Sequence, residues 1–119
     1  MFCGPLPGSP APRPHLYVLD GNGNPVAEPN VLIWAAWFER ANQERQLALD
    51  VEQVDGTEVR ISTVFTGIDQ AVMGAAVLWE TMVFGGRLDH EQRRYTSREA
   101  ALQGHAEMVV RAITRETRG

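Results

Sequence analysis

Three β-prone runs between residues 47 and 84 constrain the fold of this chain most strongly. Residues 47–54, 58–66 and 77–84 are rich in valine, leucine, isoleucine, phenylalanine and threonine, and an Asp-Gly pair lies between the first two. Runs of this length and composition, bounded by glycine, predict β-strands. Polar residues interrupt all three runs, so the sequence predicts a sheet with polar groups built into it.

The turn between the first two runs predicts how they pair. A three-residue loop over 54–56, with its glycine in the left-handed conformation, would set Val51 against Val59 and Leu49 against Ile61. That register gathers apolar residues on one face, whereas a two-residue loop would divide them between two faces. The sequence therefore favours a type I turn with a glycine bulge. The third run is apolar on both faces, which is typical of a central strand.

Two helices flank these runs. Asn30 is placed to cap a helix whose apolar residues recur at helical spacing to about residue 46. Thr96 and Glu99 form a capping box ahead of a second helix, which is predicted over residues 97–115.

A short β-prone run at residues 15–19 completes the pattern, which gives the order β-α-β-β-β-α. This order predicts an α+β fold, a four-stranded and mostly antiparallel sheet with two helices packed on one face. A single domain is expected over residues 15–116. Residues 1–14 hold five of the seven prolines with glycine between them, and they are expected to form a flexible tail.

Charge and cysteine content exclude several function classes. The eleven basic residues are all arginine and face fifteen acidic ones, so the net charge of −4 opposes nucleic-acid binding. Without lysine, neither a P-loop phosphate grip nor Schiff-base chemistry is available. Cys3 is the only cysteine, which excludes an internal disulfide. No secretory signal or membrane span is apparent, so a cytoplasmic protein that is not secreted is expected.

Three residues are candidates for acid–base chemistry. Glu80 lies in the most apolar run, where a carboxylate needs a partner such as Arg60 or Arg87. Asp69 follows the second run, and His105 lies on the apolar face of the last helix. Because no nucleophile motif accompanies them, the sequence assigns no catalytic residue and favours structural roles: an ion pair, a turn residue and a core histidine. No metal site or cofactor is predicted.

Further residues are candidates for binding a partner. Trp37 is one of two tryptophans on the first helix that cannot both be central. Burial inside the monomer is favoured for it, and the alternative is a partner surface or a homodimer contact together with the apolar loop 72–76. Thr66 lies at a strand end, where polar groups can converge. The segment 87–98 combines arginines with one tyrosine, and its candidate residues for stacking a base or anchoring a protein are Arg87, Arg94 and Tyr95. Gly104 in the last helix is expected to permit close packing.

The chain resembles a family of small proteins of unknown function encoded by bacteriophages and prophages. The resemblance rests on the strings RISTVFTGID at 60–69 and WETMVFGG at 79–86, and it continues through RYTS at 94–97. Together with YVLDG at 17–21, it spans most of residues 16–108. Relatives carry a histidine after the aspartate of the first string, where this chain has Gln70, and this departure weakens any Asp-His site.

The expected function is therefore that of a small, non-catalytic phage-type accessory protein that binds a host or phage protein. Inhibition of a host defence system and a minor role in the virion both fit this expectation. One alternative is a small enzyme or ligand-binding protein with a polar site around Glu80, Asp69 and His105. Another is an RNA-binding module that uses the segment 87–98.

Overall fold

The structure is a computed structural model in which residues 13–114 are described. Most of the predicted tail and the last two residues of the predicted domain therefore lie outside the described residues. The elements in chain order are β1 (Tyr17–Leu19), β2 (Pro25–Ala27), α1 (Val31–Arg40), α2 (Asn42–Arg45), β3 (Gln46–Val54), β4 (Thr57–Phe65), β5 (Trp79–Phe84), β6 (Gln92–Tyr95) and α3 (Arg98–Ile113).

The fold is α+β with a four-stranded antiparallel sheet, as predicted, and the strand order is β3-β4-β5-β6. The run at 79–84 is a central strand, which confirms the sequence expectation. The fourth strand, however, was assigned wrongly. It is β6, whereas the N-terminal run forms β1 and pairs with β2 in a separate two-stranded sheet.

The strand β6 lies within the segment 87–98, where no strand is predicted from the sequence. Its pairing with β5 sets Tyr95 opposite Trp79 and Arg94 opposite Glu80. Tyr95 is its only buried residue. A four-residue strand with one apolar position carries too short an alternation to be recognised from sequence.

The predicted register of the β3–β4 hairpin is wrong by one residue. Asp55 and the glycine after it both have positive φ values, 51° and 81°, so the loop has two residues and closes on a Val54–Thr57 pair. This is the type I′ geometry that Asp-Gly favours in hairpins. Asp50 consequently lies opposite Ile61, and Leu49 and Val51 are turned to the other face and half exposed.

The long helix α3 covers one face of the four-stranded sheet, which is called the covered face below, and the opposite side is called the open face. Ser97, rather than the predicted Thr96, caps α3 by accepting a hydrogen bond from the Ala100 amide. The residues of α3 that are buried against the sheet are Ala101, Gly104, His105, Met108 and Ala112.

The first helix, α1, is capped by Asn30 as predicted, but it ends at Arg40 and a single turn, α2, separates it from β3. The indole Nε1 of Trp34 donates to the carbonyls of Tyr17 and Gly67, which fixes α1 beside β1. Trp37 packs edge-on against Phe65 at a ring distance of 6.0 Å. Through this contact α1 reaches the covered face at the end of β4.

Candidate functional site

Five polar side chains form a connected network between α3 and the covered face, called the buried polar network below. His105 Nε2 lies 2.7 Å from Asp50 Oδ2, and His105 Nδ1 lies 2.7 Å from Thr63 Oγ1. The hydroxyl oxygens of Thr63 and Thr81 are 2.5 Å apart, and the Tyr95 hydroxyl donates to Thr81 over 3.0 Å. The network therefore contains contributions from β3, β4, β5, β6 and α3.

One arrangement of the hydrogen atoms gives every donor in this network an acceptor. When Nε2 of His105 carries the hydrogen, it donates to Asp50 and leaves Nδ1 to accept from Thr63. Thr63 then accepts from Thr81, which in turn accepts from Tyr95. Each hydroxyl between the ends donates once and accepts once, so the buried polar atoms are satisfied without an additional group.

The strand register brings these residues together. Thr63 and Thr81 are directly opposite each other on β4 and β5. The two-residue hairpin turns Asp50 towards the covered face, where it meets His105. The three-residue turn expected from the sequence would have placed Asp50 on the open face, so this partner of His105 could not be predicted from the expected register. The bulge between Gln46 and Ala48 is the one irregularity in this pairing.

The order of carboxylate, imidazole and hydroxyl is the order found in Ser-His-Asp catalytic triads. A nucleophile must be reachable by its substrate, but Thr63 and Thr81 are both 0% exposed. His105 is also buried. The geometry therefore supports the core role that the sequence analysis favours for this histidine, and the network stabilises the packing of α3 on the sheet.

Gly104 makes this packing possible. A Cβ atom at this position would lie 2.2 Å from Cε1 and 2.3 Å from the hydroxyl oxygen of Tyr95. The tyrosine ring lies against the helix backbone, which agrees with the close approach predicted for Gly104. Because Tyr95 is buried there, its ring is not available to stack on a base or to anchor a partner.

Asp69 organises the loop between β4 and β5. Its Oδ1 accepts hydrogen bonds from the backbone amides of Ala71 and Val77, and its Oδ2 accepts one from Arg13 Nε at 2.8 Å. Arg13 also donates to the carbonyl of Gly74. Although burial raises the pKa of the Asp69 carboxyl, the two amides and the arginine outweigh it and hold the pKa below its ordinary value. Arg13, which the sequence assigns to the tail, is thus bound to the domain.

Replacing Asp69 with asparagine is expected to lower the free energy of unfolding at neutral pH by about 1 kcal/mol, because the amide oxygen still accepts from the backbone but the ion pair with Arg13 is lost. The depressed pKa of Asp69 gives stability that is present above the unfolded-state pKa of about 4 and is lost as the pH falls through the folded-state pKa. The difference between the two proteins should therefore shrink in acid. Urea denaturation at a series of pH values measures it, and a difference that is independent of pH would contradict this role.

Glu80 lies on the open face, where it forms an ion pair with Arg94 whose Oε1–Nε distance is 3.0 Å. The two partners proposed from the sequence, Arg60 and Arg87, are both wrong. The pairing of Glu80 with Arg94 was not predicted because it depends on the strand β6, which the sequence pattern does not reveal. Arg87 instead donates to the carbonyl of Arg111 at the end of α3.

The three candidate acid–base residues are not brought together. Glu80 points to the open face and His105 contacts the covered face, since side chains alternate along a strand. Asp69 lies in a loop and is held by its own partners. Thr66 has its hydroxyl 3.0 Å and 3.1 Å from the carbonyls of Ile68 and Leu78, so it closes the end of β4. The arrangement gives no support to a shared catalytic site.

The solvent side of α1 exposes three consecutive large apolar residues. Val31, Leu32 and Ile33 are 58%, 78% and 54% exposed, and α1 has no buried residue. Ala35 and Ala36 continue the exposed surface, and charged residues appear only in the last turn. Val31, Leu32, Ile33, Ala35 and Ala36 are called the α1 surface below.

Within residues 13–114, no group of three or more histidine, cysteine, aspartate or glutamate side chains is placed to hold a metal ion. Among the helices in the same range, none is long and apolar enough to cross a membrane. Comparison with protein-family models, curated proteins and solved structures finds no match to this chain.

Proposed function

We propose that this protein is a non-catalytic accessory protein that acts by binding another protein, and that the α1 surface is its contact site. The observation that carries the proposal is the exposure of three consecutive large apolar residues, Val31–Ile33, on one helix. Contiguous apolar side chains on a folded protein are typical of interaction sites, whereas isolated ones are common everywhere.

A protein partner fits the α1 surface better than a lipid surface. Helices that bind membranes usually carry lysine or arginine beside the apolar face, because the lipids are anionic. The only basic residue of α1 is Arg40 in the last turn, next to Glu39, and the whole chain carries a net charge of −4. A groove or helix of a partner that buries Leu32 would gain hydrophobic free energy without a charge penalty.

The two alternatives from the sequence have less support. Catalysis at Glu80, Asp69 and His105 would need these residues near one substrate, and they occupy separate places. RNA binding through residues 87–98 would need free arginines and an exposed aromatic ring. Arg93 and Arg94 are each paired with a glutamate, Arg87 donates to the carbonyl of Arg111, and Tyr95 is buried. Arg98 alone among the arginines of this segment has no partner within the described residues.

The resemblance to phage and prophage proteins, the small size and the acidic charge support a role in the cytoplasm of an infected or lysogenic bacterium. Inhibition of a host defence system and a minor role in the virion remain the two forms of this proposal. A homodimer that buries Trp37 or the exposed loop 72–76 is a further possibility for this protein, because apolar side chains on a surface also favour self-association.

The replacement Leu32→Glu is expected to abolish binding of the partner while leaving the fold intact, because Leu32 is 78% exposed. The matched control is Val110→Glu, which changes an apolar residue on α3 that is 61% exposed. Both variants and the unchanged protein would be used for affinity capture from a lysate of the bacterium that carries the gene.

The proposal predicts one stoichiometric partner that the unchanged protein and the Val110→Glu variant retain and the Leu32→Glu variant loses. Capture of no stoichiometric partner by the unchanged protein, or equal capture by the Leu32→Glu variant, would contradict it. Binding to lipid vesicles that is lost in the Leu32→Glu variant would assign the α1 surface to a membrane and would also contradict it.

A further inference from the structure

A small cavity beside α2 is lined by apolar side chains and by two arginines. Its volume is about 160 Å³, and it is lined by residues from the β1–β2 hairpin, α2, the sheet and the start of α3. The apolar part of its lining is formed by Leu19, Leu47, Phe65 and Trp79. An engineered cavity of roughly 150 Å³ holds one benzene ring, so this space suits an apolar group of that size.

Arg45 lines this cavity and has an unsatisfied donor. Its guanidinium stacks on Phe38 with 3.6 Å between Cζ and the ring centroid, and one terminal nitrogen donates to Asn42. Its Nε is buried and has no hydrogen-bond partner among the described residues. Burial also lowers the pKa of Arg45, because the charged form is desolvated. The guanidinium of Arg45 thus adds a positive charge to the lining of the cavity.

Arg98, the first residue of α3, is the second arginine of the lining. Within residues 13–114 its side chain makes neither a hydrogen bond nor an ion pair. Four other arginines each form an ion pair with a carboxylate, namely Arg13, Arg93, Arg94 and Arg111. Arg98 is therefore available to a ligand without the loss of an existing contact.

The lining also contains Glu44, so two positive charges and one negative charge surround the space. A net charge of one unit matches a monoanion better than a dianionic phosphate. Guanidinium groups pair well with carboxylates, since both are planar and form parallel hydrogen bonds. The four apolar side chains of the lining can contact a ring or a branched aliphatic group next to the charged end.

We propose that this cavity binds a small monocarboxylate whose apolar body is no larger than one six-membered ring, with Arg45 and Arg98 holding the carboxylate. The site is independent of the α1 surface, and either can be disproved without the other. Benzoate is a suitable probe, and benzamide is its uncharged counterpart of nearly the same shape.

Titration of the full chain with each probe, followed by calorimetry and by two-dimensional NMR, tests the proposal. Benzoate is expected to bind saturably, to shift the indole resonance of Trp79 and the Nε resonance of Arg45, and to bind about ten-fold or more tightly than benzamide. Equal affinity for the two probes would show that the arginines do not recognise the charge. Absence of saturable benzoate binding at millimolar concentrations would overturn the proposal as well.

The variant Arg98→Gln keeps a polar side chain but removes the charge at an exposed position, where the side chain makes no hydrogen bond or ion pair with the described residues, so its folding should be unchanged. It is expected to weaken benzoate binding about ten-fold and to leave benzamide binding unaltered. Arg40→Gln at the end of α1 makes the same change of charge outside the cavity and should leave both affinities unaltered. Equal loss in the two variants would indicate a general effect of charge and would contradict a site at Arg98.

Discussion

Replacing Gly104 with alanine is expected to destabilise the protein by about 3 kcal/mol, because the new methyl group would overlap a buried ring. Its carbon would lie 2.2 Å from Tyr95 Cε1, and the ring is held by the hydrogen bond to Thr81. Either the ring or α3 has to move, and both movements disturb the buried polar network. Alanine is about 1 kcal/mol more favourable than glycine inside a helix, so helix propensity alone would stabilise the variant. A loss of stability would therefore come from the overlap with Tyr95.

Urea denaturation of this variant is best compared with Gln103→Ala, an exposed change at the neighbouring position of α3. The control should stay within about 0.5 kcal/mol of the unchanged protein. A Gly104→Ala protein as stable as the unchanged one would show that Tyr95 does not pack against the helix backbone.

Replacing His105 with alanine is expected to cost about 3 to 4 kcal/mol of unfolding free energy. The change leaves a cavity between α3 and the sheet, and it removes the partner of both Thr63 and Asp50. Thr63 is fully buried, so its hydroxyl cannot turn to bulk water. Thermal or urea denaturation measures the loss.

A double-mutant cycle with Asp50→Ala separates the network from simple packing. Because the two side chains are in contact, their effects should not add, and the coupling energy is expected to be about 1 kcal/mol or more. If the two losses were additive, the hydrogen bond between Asp50 and His105 would contribute no stability, and the network would reduce to ordinary packing of the histidine.

The sequence was sufficient for the fold class, for the central position of the third β-prone run and for the start of α1. These features rest on long apolar runs and on a capping residue, Asn30, which are local signals. A close contact between the backbone at Gly104 and a neighbouring group could likewise be predicted, because a glycine inside a strongly periodic helix usually has a packing reason. The exposed residues of the α1 surface were not predicted from the sequence, which singled out Trp37 on this helix, and the ring of Trp37 is partly buried against Phe65.

The register of the β3–β4 hairpin shows why the remaining features were missed. Sorting the apolar residues to one face assumed that Leu49 and Val51 had to be buried and that Asp50 had to be exposed. In the structure the Asp-Gly pair forms a two-residue turn, and Asp50 is bonded to His105 on the covered face. That partnership joins residues 55 positions apart, and no local pattern in either segment reveals it.

Hydrogen–deuterium exchange of the protein, alone and in complex with the captured partner, tests most directly whether the α1 surface is the contact site. Slower exchange in the complex is expected over residues 31–40, because a covering partner limits the opening of the helix, while the buried side of α3 should exchange as before. Protection confined to other segments, with the amides of α1 unchanged, would contradict the proposed mode of binding.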